Sequence, residues 1–270
     1  MKTNSHGLAH GIALKKQYGQ HFLREQSFID EMISAVSLDT TSSVFEIGCG
    51  DGFLTRSILK QPIARLWVFE IDPAWAAYVR MNYPDERMTI VEENILDVDF
   101  SRLEETAPWT LLANIPYQIT FPILHLLREN RHLLKEGVIM IQEEVAQKLL
   151  KTEGRGYGFP SLYFQHFFEL SLLSKISAAA FYPPPKVSSR LLYFKPRTVL
   201  DEIPYEQEFW RFVKHLFQQP RRILKNVLQS FHYDYERIPK ETLMLRAQQM
   251  DKQEIIGLWN ILNTSDSKSL

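Results

Sequence analysis

The chain has 270 residues, of which 45% are hydrophobic, 23% charged and 12% aromatic, and its net charge is −1. That composition suits one large domain, or a medium domain with a small appendage, and excludes a disordered chain. One cysteine excludes a disulfide scaffold and a thiolate zinc cluster, no run reaches the roughly 18 apolar residues of a membrane span, and the amino terminus lacks a secretory apolar core. The expectation is a reducing, cytoplasmic compartment and no membrane partner.

Charge is placed unevenly. Residues 1–24 carry four bases and no acid, residues 25–110 carry 16 acids and 6 bases, and residues 186–246 carry 12 bases and 7 acids. Basic ends around an acidic middle point to a polyanion partner. The plainer alternative is that Lys and Arg solubilise surface helices.

In chain order, Val44–Ile47 is a buried-type strand that runs into Gly48-Cys49-Gly50-Asp51-Gly52, with a helix expected over Phe53–Lys60. Leu66–Ile71 is a second strand, and Asp72-Pro73 after it is an N-cap with proline at the first helical position. Met88–Val91, Thr110–Ala113 and Val138–Ile141 are the third to fifth strands. This alternation predicts βαβ units and an α/β fold, a doubly wound and mostly parallel sheet with helices on both faces. Lys151–Pro160, with its three glycines, predicts a loop ahead of a helix over Ser161–Phe168. Strand-like Leu170–Ile176 and Arg190–Phe194 flank Pro183-Pro184-Pro185. They are expected to pair antiparallel at one sheet edge, completing seven strands. Pro196 to Pro204 reads as a linker. From Phe209 onward helical periodicity predicts a small all-helical domain with a frayed tail after Asn263. The expected division is 1–197 for the sheet domain and 198–270 for the helical one.

The glycine cluster lets backbone approach a ligand closely. Its spacing is not that of a dinucleotide fingerprint, and no lysine follows as in a phosphate loop. Glu70 ends the second strand, where a carboxylate can accept both ribose hydroxyls of a nucleoside. Together they predict a nucleoside cofactor without a pyrophosphate, and S-adenosylmethionine fits. Gly48, Gly50, Glu70 and Ile71 are the candidate contacts here. Asn94, past the third strand, can bond the adenine ring or serve only as a turn residue.

Asn114-Ile115-Pro116-Tyr117 ends the fourth strand. A nucleobase amine is a poor nucleophile because its lone pair is conjugated into the ring. Accepting both amino hydrogens, from the Asn114 side chain and a backbone carbonyl, favours a tetrahedral nitrogen with a directed lone pair. Pro116 stiffens the loop, and Tyr117 can stack on the base. The competing reading is a strand-ending turn with a buried tyrosine. Glu143 and Glu144 are neighbours on a helix, face about 100° apart and read as a helix-start charge pair rather than an acid–base pair. Arg211, Lys214, Arg221, Arg222 and Lys225 form a basic run that can grip RNA phosphates or face solvent.

Asn114–Tyr117 after EIGCGDG and FEID resembles the KsgA-type ribosomal RNA small-subunit adenine dimethyltransferase family. Four further segments resemble that family in order: Tyr18–Leu23, Gly156–Gly158 with Ser161 and Gln165, Phe181–Val187 with Ser189, and Phe217–Arg222 with Asn226. The resemblance implies a Rossmann-like methyltransferase domain followed by a small helical RNA-contacting domain. It implies His21, Leu23, Gly48, Glu70, Asn94 and Asn114 at S-adenosylmethionine. Asn114 and the Ile115 carbonyl would hold the target amine, and Tyr117 and Phe181 would clamp the flipped adenine. Arg221, Arg222 and Lys225 would contact RNA. The chain departs from the family pattern at His21 and Asn94, where asparagine and aspartate are usual. The implied activity is N6,N6-dimethylation of two adjacent adenosines near the 3′ end of small-subunit ribosomal RNA, by a monomer without a metal. The partner would be the small subunit or its precursor. A large-subunit methyltransferase conferring antibiotic resistance, and a non-catalytic RNA- or DNA-binding factor on the same fold, are the alternatives.

Overall fold

A computed structural model describes residues 5–263, so the tail expected after Asn263 lies outside the described residues. The chain forms two compact units, residues 1–146 with 168–196, and residues 147–167 with 197–270.

The strands are β1 (Ser5–Ala9), β2 (Ile12–Lys15), β3 (Phe22–Leu23), β4 (Ser43–Ile47), β5 (Arg65–Phe69), β6 (Met88–Val91), β7 (Trp109–Asn114), β8 (Leu134–Gln142), β9 (Phe168–Ile176), β10 (Phe181–Tyr182) and β11 (Ser189–Pro196). Seven of them make one sheet in the order β6-β5-β4-β7-β8-β11-β9. Neighbours from β6 through β8 run parallel, and β11 is antiparallel to both β8 and β9. The expected antiparallel pair of late strands is present, with β9 as the edge. Every residue of β4 is buried, as a central strand covered on both faces requires.

The helices are α1 (Gln26–Ser34), α2 (Thr55–Ile58), α3 (Pro73–Asn82), α4 (Thr120–Glu129), α5 (Glu143–Leu149), α6 (Phe159–Phe167), α7 (Glu206–Gln218), α8 (Leu224–Ser230), α9 (Lys240–Met244) and α10 (Lys252–Asn263). The α3 start follows its local chemistry: the Asp72 side chain accepts the Ala74 N–H and Pro73 takes the first turn. The helix expected over Phe53–Lys60 shrinks to α2, because residues 51–54 are spent on the turn out of β4. Glu143 and Glu144 do open a helix, and Glu143 takes a bidentate pair from Arg190 at 2.6 and 2.7 Å.

Two small pairings were not expected. Strands β1 and β2 form a hairpin, and β3 pairs with β10, Phe181 opposite Leu23 and Tyr182 opposite Phe22. The first is a short hairpin turning at His10-Gly11, and the second joins segments far apart in sequence, which no local periodicity announces.

In the second unit, α6 belongs with the helices that follow residue 197 rather than with the sheet. Its aromatic face explains this: Tyr163 meets the Trp210 ring of α7 at 4.9 Å. Hydrogen bonds tie its flank, with Ser161 Oγ donating to the Lys148 carbonyl and Gln165 Nε2 to those of Leu149 and Lys151. Phe209, Phe212, Val213 and Leu216 bury the inner face of α7, and Trp259 of α10 anchors the connecting segment by donating to the Pro204 carbonyl at 2.7 Å. Among the described residues no helix is long and apolar enough to cross a membrane.

Candidate active site

Sheet register assembles the site. Ile47 at the end of β4 lies opposite Phe69 of β5 and Ala113 of β7. The next residue on each strand, Gly48, Glu70 and Asn114, therefore arrives at one edge, and Asn94 follows the end of neighbouring β6. They line a cleft of about 320 Å³ beyond the carboxyl ends of the parallel strands, where open α/β sheets bind ligands.

The glycine turn is shaped by three positive-φ residues, Gly48, Gly50 and Gly52. A Cβ on Gly50 would come within 2.5 Å of the Phe22 ring, so only glycine lets β3 close over the turn. A Cβ on Gly48, by contrast, would meet no atom within 4 Å and would stand in the cleft itself. Glu70 is almost wholly buried, and both its oxygens are already oriented: Oε2 accepts the Gly50 N–H at 3.1 Å and the Cys49 thiol at 3.6 Å, and Oε1 accepts the Asp72 N–H at 2.8 Å. Burial raises the Glu70 pKa, and the two N–H bonds oppose that rise. Oε1 retains a lone pair for a ribose hydroxyl, and the second site on Oε2 is held only by the weak thiol donor. Ile71 beside it is 44% exposed on the cleft wall. Asn94 caps the turn after β6, with Oδ1 accepting the Leu96 N–H and Nδ2 donating to Asp97, so its turn role and its place in the cleft coexist. A polar rim, apolar walls and an open glycine floor fit a nucleoside cofactor with a short charged tail.

At the other end of the cleft, Asn114 Nδ2 donates to the His21 carbonyl at 3.0 Å, which leaves Oδ1 as the free acceptor. His21 Nδ1 donates to the Pro183 carbonyl at 2.7 Å, and its ring stacks on Tyr117 at 6.1 Å between centroids. The Tyr117 hydroxyl shares a 2.6 Å hydrogen bond with the buried Ser189 Oγ, and burial raises the tyrosine pKa. Leu23, Ile115 and Pro116 complete this wall. Phe181 is not brought to the cleft. It is 4% exposed and packs in the core cluster that holds Leu23, because the β3–β10 pairing turns its side chain inward. Arg221, Arg222 and Lys225 lie on the other unit, exposed between and on α7 and α8.

One lining residue carried no role in the sequence reading. Glu46, in the middle of the buried β4, is 1% exposed. Its Oε2 accepts from Thr55 Oγ1 at 2.7 Å, and its Oε1 has no hydrogen-bond partner among the described residues. Burial, reinforced by Glu70 and Asp51, pushes its pKa up to about 8. The available signal was an acid inside an otherwise apolar strand that leads into a glycine turn. The folded protein thus holds this proton more tightly than the unfolded chain, whose ordinary value is 4.5. The group's stabilising contribution is complete below the unfolded value and is lost as pH rises through about 8. Denaturation midpoints should accordingly fall between pH 5 and 8 with a slope on the order of 1.4 kcal/mol per pH unit, and Glu46→Gln should flatten that slope. Equal slopes in the two proteins would contradict this assignment.

A mostly parallel seven-stranded sheet with one reversed strand, and a glycine-floored cleft facing a strand-end acid, put the protein among the α/β methyltransferases. The family model described as ribosomal RNA adenine dimethylase matches residues 11–265, and the chain belongs to that family. It is 38% identical over 239 residues to the "Ribosomal RNA small subunit methyltransferase A" of Prosthecochloris aestuarii, covering 88% of this chain and 89% of the relative. The protein of the same name from Chlorobium phaeobacteroides is 34% identical over 249 residues, covering 92% and 91%. Among solved structures, a dimethyladenosine transferase from Plasmodium falciparum superposes with a TM-score of 0.75 at 20% identity, covering 90% of this chain and 98% of that one. The 23S rRNA methyltransferase ErmE superposes with a TM-score of 0.73, also at 20% identity, covering 90% and 99%. At that identity these two establish the fold alone.

Proposed function

We propose that the protein dimethylates the N6 amines of two adjacent adenosines near the 3′ end of small-subunit ribosomal RNA, acting as a cytoplasmic monomer during subunit maturation. The observation that carries this reading is the Asn114–Tyr117 wall in the same cleft as Glu70 and the glycine turn, in a chain of the adenine dimethylase family. The relatives' names, which specify the small subunit, favour that target over the large-subunit alternative.

Bound S-adenosylmethionine supplies an electrophilic methyl group on a sulfonium. The residues that would hold it are Glu70 at the ribose, Asn94 and Ile71 at the adenine, and Gly48, Gly50, His21 and Leu23 along the rest. Glu46 lines the same cleft, its Oε1 buried and without a partner among the described residues. Asn114 Oδ1 and the Ile115 carbonyl accept the hydrogens of the target amine, which directs its lone pair. Tyr117, its hydroxyl pinned by Ser189 and its ring backed by His21, presents a face for the flipped base. Phe181 supports Leu23 from behind rather than stacking from the cleft. Catalysis then comes from positioning and from the dry, oriented acceptors, with no covalent nucleophile.

The exposed Arg221, Arg222 and Lys225 are assigned to RNA phosphates. Changing Arg221 and Arg222 together to Glu should weaken binding to ribosomal particles and reduce its salt dependence, with cofactor affinity unchanged. Unaltered particle affinity at low salt would make this a solvated face only. The function itself is tested by mass spectrometry of ribosomal RNA after incubating unmethylated small and large subunits with the protein and S-adenosylmethionine. Two dimethylated adenosines on the small subunit are expected, and transfer to the large subunit, or to neither, overturns the reading.

A further inference from the structure

On the outer side of the glycine turn lies a second, open cleft of about 410 Å³. Asp51 and Phe53 line both clefts, so the two share a wall. The wall of the second is cationic and aromatic. Arg24 and His10 both reach the buried Asp51 carboxylate, His10 at 3.3 Å, and Arg24 also lies over the Phe22 ring at 5.4 Å. Arg56 lies 4.4 Å from the Phe53 ring centroid, and its other contact is the Gln26 side chain. No carboxylate pairs with Arg56 among the described residues, so its charge is open to the cleft.

Tyr182 forms the rim. It is 46% exposed, and its hydroxyl donates only a long 3.4 Å bond to the Leu8 carbonyl on β1. Side chains alternate along β10, so the pairing that buries Phe181 turns Tyr182 outward. Tyr182 also directly precedes Pro183, whose carbonyl holds His21 against Tyr117. The exposed ring is thus tied, one residue away, to the wall assigned to the target base.

We propose that this cleft is a subsite for the nucleotide adjacent to the target adenosine on the same RNA strand. Its base stacks on Tyr182, and its phosphate lies against Arg56, whereas Arg24 is committed to Asp51. An exposed aromatic platform beside stacked guanidinium groups is the chemistry that holds unpaired nucleotides. The proposal rests on the reading of the main cleft as an adenosine site. It explains how a strand whose target base has been extruded keeps its register at the cleft mouth.

The test is steady-state kinetics on unmethylated small ribosomal subunits, with cofactor affinity and melting temperature measured in parallel. Tyr182→Ala should raise KM for the particle by about 5- to 150-fold, the range of one lost base–aromatic stack, with cofactor affinity unchanged. Tyr182→Phe should restore KM, because the ring rather than the hydroxyl does the stacking. Arg56→Glu, on the surface and away from the core, should also raise KM and reduce its salt dependence. An unmoved KM in both Tyr182→Ala and Arg56→Glu overturns the subsite. So does a Tyr182→Ala defect confined to cofactor affinity, which would make the ring a brace for β3. A wild-type chain inactive on the particle overturns the substrate reading, and this proposal with it. An active wild type with unmoved variants overturns only the subsite.

Discussion

Asn114→Ala should lower the single-turnover rate of methyl transfer on pre-bound particles by about 10²- to 10³-fold, the loss that follows removal of one preorganised polar contact to a reacting centre. The basis is the orientation of the amide. Its Nδ2 is committed to the His21 carbonyl, so Oδ1 is the group turned to the substrate. An acceptor there gains most as the amine nitrogen becomes tetrahedral, which places the effect on the chemical step rather than on capture. The second methylation should suffer more than the first, because a monomethylated amine keeps one hydrogen to be held. The same substitution frees the His21 carbonyl, so a modest loss of cofactor affinity is expected beside the rate effect. Tyr117→Ala differs: base stacking of roughly 1–3 kcal/mol is lost from target capture, and cofactor binding stays near normal. A wild-type single-turnover rate in Asn114→Ala would refute the mechanism.

Glu70→Ala should weaken S-adenosylmethionine binding by roughly 10- to 100-fold in calorimetry, equivalent to about 1.5–3 kcal/mol for a charge-assisted contact. Two losses combine. The ribose acceptor goes, and the Gly50 and Asp72 N–H groups lose the oxygens that orient them at 3.1 and 2.8 Å. The glycine turn and the start of α3 therefore loosen together. Glu70→Gln should not rescue fully, since its amide nitrogen cannot accept whichever of the two backbone N–H groups it faces. An unchanged dissociation constant in Glu70→Ala would remove the carboxylate from the cofactor site.

Much of this protein is legible in the chain itself. Apolar β-branched runs at βαβ spacing foretell the parallel strands, because a strand covered on both faces must be apolar throughout. The Asp72-Pro73 start of α3 is local, set by a side chain and its own backbone within one turn. The grouping of Gly48, Glu70 and Asn114 also follows, since parallel strands of similar length end level and the residues just beyond them share one edge.

Tertiary structure decided what depends on facing and on remote pairing. Phe181 and Tyr182 are adjacent aromatics, and the sequence resemblance assigns a role to the first alone; pairing with β3 buries Phe181 and exposes Tyr182. The His10–Asp51 contact ties the turn of the β1–β2 hairpin to the glycine turn, a segment far off in sequence. Helix α6 precedes β9 in the chain yet packs with the later helices, because its aromatic face finds Trp210 rather than the sheet. Glu46 is one more acid in an acidic stretch until burial leaves one of its oxygens unpaired beside the glycine turn. Periodicity and capping act within a few residues and can be read directly. Burial, register and desolvation are properties of what lies across the fold, and they exist only once the fold has formed.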